Sequence, residues 1–65
     1  MEPSPGQIRR NYETGDLVLV LRVNQTWSDR AGNEHSSWMV YSQDGITEVY
    51  SQDLMEETEN VDETR

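Results

Sequence analysis

The longest apolar run in the chain is Leu17-Val18-Leu19-Val20-Leu21-Arg22-Val23. The turn signal Thr14-Gly15-Asp16 precedes it and Asn24 follows it. β-Branched enrichment between such boundaries favours a strand over a helix. Alternation along that strand places Leu17, Leu19, Leu21 and Val23 on one face, and Val18, Val20 and Arg22 on the other. Because the run is nearly continuous, both faces are expected to be covered in part. The inner one meets a core and the outer one an arm or a partner. Ser37-Trp38-Met39-Val40-Tyr41-Ser42 predicts a second strand and Ile46-Thr47-Glu48-Val49-Tyr50 a third. Asp44-Gly45 between them is a strong hairpin signal. Trp38 and Val40 share one face and Met39 and Tyr41 the other, while Thr47 and Val49 oppose Ile46, Glu48 and Tyr50.

Between the first two strands, residues 24–35 are polar and turn-rich, which predicts a long hairpin loop. Trp27 stands out there as a large apolar side chain. Ser51-Gln52-Asp53-Leu54 predicts a helical turn capped by Ser51, or a short closing strand, with Leu54 folded back on the core. Residues 1–11 contain Pro3, Pro5 and Gly6 and predict a flexible N-terminal arm, in which Arg9-Arg10 is the local cluster of positive charge. Residues 56–65 predict an acidic C-terminal tail. The domain is thereby narrowed to residues 12–55, with Leu17, Leu19, Leu21, Trp38, Val40, Val49 and Leu54 as its expected core.

Composition sharpens this picture. At 65 residues the chain holds one domain at most, and its apolar fraction of 32% makes for a thin core. There is no Cys, which excludes disulfides and thiolate zinc sites, and the single His35 cannot build a His-rich metal site. The net charge is −8, and all five bases are Arg. This balance argues against binding a phosphate backbone or an anionic membrane and favours a basic protein partner. No stretch approaches the ~20 apolar residues of a membrane span. The N-terminal residues lack the basic and apolar regions of a signal peptide, so the chain is expected not to be secreted.

Three features stand in order: Gly15-Asp16-Leu17-Val18 opening a strand, Trp38-x-Val40-x-Ser42-x-Asp44-Gly45 forming a hairpin, and Asp53-Leu54 closing. Over residues 14–55 this resembles the small SH3-like barrel proteins of bacteriophages, including cyanophages. The resemblance implies an all-β fold, a small SH3-like barrel of four to five strands with flanking arm and tail. It also implies a place in the virion or in the host cytoplasm. Such barrels host many functions, so function must come from the site.

The sequence offers little reactive chemistry. Nucleophilic catalysis needs an activated nucleophile beside a base. Ser36 and Ser37 adjoin His35, but neighbours on an extended chain point to opposite faces. Asp29-Arg30-Ala31-Gly32-Asn33-Glu34 lacks the spacing of a calcium loop. Gly6, Gly15, Gly32 and Gly45 are isolated, so there is no phosphate loop. No enzyme activity, cofactor or metal is expected. The expectation is a structural or interaction protein, a head decoration protein or a tail or neck adaptor binding neighbouring virion subunits. An early phage inhibitor occupying a basic groove of a host protein is the alternative. An aromatic cage for a methylated cation, walled by Trp27 and the tyrosines, is a third reading. The candidate partner-binding residues are Arg9 and Arg10 in the arm, Trp27 and Arg30 in the loop, and Glu56, Glu57 and Glu59 in the tail. Homo-oligomerisation is compatible with this reading.

Overall fold

The computed structural model describes residues 3–61. In chain order the elements are β1 (Ile8–Asn11), β2 (Leu17–Ser28), β3 (Glu34–Ser42), β4 (Gly45–Tyr50), α1 (Ser51–Glu57) and β5 (Thr58–Asn60). The five strands form one antiparallel sheet in the order β4-β3-β2-β1-β5. One short helix lies on it. The expected mostly-β small domain is present, but the sheet is not closed into a barrel. Closure would require β4 and β5 to pair, and they are the two edges of the sheet. Chain order explains why: α1 leads away from β4 across one face of the sheet and delivers β5 to the far side, beside β1.

The core is small and lies under α1. Val20, Trp38, Val40 and Leu54 are buried, with Val18 and Val49 packed against them. Trp38, Val40, Val49 and Leu54 were expected there. Leu17 and Leu19 were too, but they are on the opposite face, 53% and 36% exposed, and Leu21 is half-buried. The inversion has a pairing cause. Val20 lies opposite Val40 and Leu19 opposite Tyr41, so the face that β3 turns to the core selects Val18 and Val20 from β2. Both faces of β2 are apolar, so its own alternation could not decide. Register shifts between Val20 and Arg22 and between Val23 and Gln25 then interrupt the alternation.

The expected long loop over residues 24–35 is mostly strand. Asn24–Ser28 continue β2, and the ladder runs out to Ser28 opposite Glu34. The connection is the tight segment 29–33, held by Asp29, whose Oδ1 accepts from the Ala31 and Asn33 amides at 2.9 Å. The β3–β4 hairpin closes with Ser42 opposite Gly45. Its turn residues are Gln43 and Asp44, followed by Gly45 at φ 100°, a conformation that favours glycine. α1 has Tyr50, not Ser51, as its N-cap and no side-chain cap. Leu54 and the Thr58 hydroxyl, which donates to the Leu54 carbonyl, hold the helix in place.

The expected arm and tail pair with each other. Ile8–Asn11 form β1, hydrogen-bonded to β2 on one side and β5 on the other. The preceding turn is tied down too: the Gly6 amide donates to the Val20 carbonyl at 2.8 Å, and the Val20 amide donates to the Gln7 carbonyl at 2.9 Å. Glu56 and Glu57 belong to α1, and Glu59 to β5. Side chains support the pairing: Arg10 lies opposite Glu59, and the buried Arg9 donates to the Thr58 hydroxyl and carbonyl. The rest of the expected acidic tail, 62–65, and Met1 and Glu2 lie outside the described residues.

Candidate functional site

The register places one apolar row across four adjacent strands. Ile8 faces Leu19, Leu19 faces Tyr41, and Tyr41 faces Ile46. All four are on the face opposite α1 and are 36–60% exposed, and Leu17 extends the patch. A strand alternates its faces, so Val18, Val20 and Val40 look into the core while Leu17, Leu19 and Tyr41 look out. Met39, half-buried, continues this face between Arg22 and Glu48. Next along it, Glu48 accepts hydrogen bonds from the Ser37 hydroxyl (2.6 Å) and from the Asn24 side-chain amide. Those two donors hold the Glu48 carboxyl below its ordinary pKa.

The β2–β3 ribbon beyond this point carries an aromatic group. Trp27 stacks on His35 with centroids 5.8 Å apart and meets Tyr50 edge-on at 5.7 Å. His35 Nε2 lies 2.9 Å from Asp29 Oδ2. That contact and the Asn33 and Ala31 amides lower the Asp29 pKa to about 2. A shallow cleft here, about 450 Å³, is lined by Trp27, His35, Tyr50 and Asp53 among others. Neither serine beside His35 is turned to it. Ser36 Oγ accepts from Trp38 Nε1 at 3.2 Å, and Ser37 is bonded to Glu48. Among the described residues no group of three His, Asp or Glu side chains could hold a metal ion.

The helix side differs in charge. A cavity of about 240 Å³ is floored by Val18, Val40, Val49 and Leu54 and edged by Asp16, Asp44 and Glu57. Among the described residues, no basic side chain lines it.

The candidate residues named from the sequence do not form one site. Arg9 is buried, 4% exposed, and lies opposite Val18 on the helix side of the sheet. Nε donates to Thr58 Oγ1 at 2.7 Å, Nη2 to the Thr58 carbonyl at 2.8 Å, and Nη1 to Gln7 Oε1 at 3.0 Å. It is a structural strut, not an exposed docking residue. Arg10 and Glu59 face each other on the open side. Trp27 and Arg30 are at the far end of the ribbon, and Glu56 and Glu57 are exposed on the helix. Trp27 is packed by His35 and Tyr50, which leaves it short of a free cage wall. The Ile8, Leu19, Tyr41 and Ile46 row was missed. Its signal was the double-sided apolar run of β2, expected to be covered in part on both faces; the structure covers it on the α1 side and leaves this face exposed.

Comparisons with family models, curated proteins and solved structures find no match for this chain.

Proposed function

We propose that this chain is a non-enzymatic interaction protein that binds a protein partner through the open face of its sheet. One observation carries the reading: the exposed row Ile8, Leu19, Tyr41 and Ile46, extended by Leu17. A sheet with apolar side chains on both faces is completed by a layer on each, and α1 supplies only one. Contiguous exposed apolar surface marks binding sites more often than isolated exposed residues do. The order of motifs over residues 14–55 supports a phage virion as the setting, with the role of a head decoration protein or a tail or neck adaptor. The test is a photo-crosslinking amino acid placed at Tyr41 in assembled particles, read by mass spectrometry. The expected product joins position 41 to a capsid or tail subunit or to another copy of the chain. Absence of the chain from purified particles removes the virion role. Presence without any crosslink at 41 removes the face.

A second reading, an early inhibitor of a host protein, is favoured by the helix side. An apolar floor with Asp16, Asp44 and Glu57 at its edge suits the aliphatic stem and cationic head of an Arg or Lys side chain. It predicts a host protein retained at low salt, released at high salt, and lost with the Asp16→Asn, Asp44→Asn double variant. Retention that is indifferent to both changes sinks it.

A further inference from the structure

We infer that the occupant of the open face is a second copy of this chain, in a two-fold dimer packed sheet on sheet. The inference rests on reading that face as a protein-binding surface, and it names the partner.

Charge is the first argument. The chain carries −8, so two copies repel each other through most of their surfaces. The open face is the exception. Its charged positions are Arg10, Arg22, Glu48 and Glu59, which balance. Elsewhere the described residues hold Glu13, Asp16, Asp29, Glu34, Asp44, Asp53, Glu56 and Glu57 against Arg9 and Arg30. A strongly basic partner is drawn to that acidic remainder. The balanced, apolar side is where a like-charged copy can approach.

Self-complementarity is the second argument. A two-fold interface brings the same patch from both subunits together. Two aligned sheets pack face to face with strand directions within about 30° of each other. With the two-fold axis along the strands, the row is laid on its own reverse. Ile8 then meets the partner copy's edge strand at the position of Ile46, and Leu19 meets Tyr41. The row has an isoleucine at each end, so the reversal sets isoleucine on isoleucine at both ends and the Leu19 side chain against the Tyr41 ring in the middle.

The third argument is the thinness of the core. Four buried apolar residues hold the sheet on the helix side. A second sheet would convert the outer row into a second core, and small domains commonly depend on such association.

The patch is modest. Four strands about 4.8 Å apart make a surface roughly 15–20 Å on a side, below the ~800 Å² per partner of a standard interface. A patch of that size suits a weak, exchanging dimer, not a permanent one.

The test is sedimentation equilibrium of the purified full chain across the micromolar range, at low and high salt. The expected result is a monomer–dimer equilibrium that strengthens with salt, because salt screens the repulsion of two acidic copies. Tyr41→Glu and Ile46→Glu should each weaken it by about tenfold or more, since a carboxylate is then buried without a partner. Both positions are more than half exposed, so the monomer should keep its fold, which far-UV circular dichroism checks. A chain that stays monomeric throughout overturns the dimer, as does association that weakens with salt. A dimer that survives both substitutions also overturns it, because it would point to pairing at the β4 edge. The crosslink from position 41 separates the two levels. A crosslink to a different protein from a monomeric chain ends the dimer and leaves the binding face standing.

Discussion

Arg9 has the largest structural role of any charged side chain described. A buried guanidinium needs acceptors in its own plane, and Thr58 supplies two, its hydroxyl and its carbonyl. Lysine keeps the charge but not the planar fork. Arg9→Lys should therefore lose at least one bond to Thr58 and cost about 1–3 kcal/mol in urea unfolding. A stability unchanged within a few tenths would show that the fork is dispensable. Asp29 makes the opposite kind of contribution, local and dependent on pH. Its folded pKa of about 2 is depressed by His35 and the turn amides. A depressed carboxyl stabilises the fold above its unfolded value, near 3.9, and that stability is lost as pH falls through the folded value. Unfolding free energy should thus decline between about pH 4 and pH 2. Asp29→Asn should flatten that part of the profile, which urea titrations at several acidic pH values would read. An equally steep decline in the variant would place its origin in other carboxyls.

At the scale of elements, α1 depends on one side chain. Seven residues without a side-chain cap are too few to be helical alone. Leu54, 4% exposed, supplies the tertiary anchor. Leu54→Ala should cost about 2–5 kcal/mol and melt α1 first, seen as early amide exchange at residues 51–57. The β3–β4 hairpin rests on Gly45 in the same way. Its φ is 100° and the space where a Cβ would stand is open, so a side chain there meets backbone strain but no clash. Gly45→Ala should cost about 1–2 kcal/mol, read in the same urea titrations. These two elements also show what the sequence could reveal. Trp38 and Val40 against Met39 and Tyr41 alternate plainly, and Asp44-Gly45 marked the turn within a residue. β2 was legible as a strand but not as to face, because Leu17, Leu19 and Leu21 are as apolar as Val18 and Val20. Only pairing with β3 chooses between them. The ribbon over Asn24–Ser28 was hidden because its polar residues are exposed on both faces and are held by the ladder, not by burial. β1 and β5 were hidden for a different reason. Prolines, glycine and acidic residues read as arm and tail, and what makes them strands is a contact between Arg9 and Thr58, 49 residues apart.

For the whole molecule, that distant contact reverses the expected roles of arm and body. With β1 between β2 and β5, the two terminal segments belong to the same sheet as the central hairpins. A tail that merely solvates could be removed freely. Here, truncation after Glu57 removes β5 and with it both Thr58 acceptors of Arg9, leaving a buried cation short of partners. Breaking such an arrangement costs about 3–5 kcal/mol. A domain of this size has roughly 3–10 kcal/mol in total. The truncated chain should therefore be largely unfolded at room temperature, or unfold at a much lower urea concentration. A chain ending at Val61 retains the whole of β5 and provides the reference. Replacing Arg9 by Met in the truncated chain should recover part of the loss, because an apolar side chain of similar length needs no acceptor. Recovery would identify the stranded guanidinium as the cause. A truncated chain as stable as the reference would return β5 to the role of a dispensable tail, and the Arg9–Thr58 bonds would then carry no part of the fold.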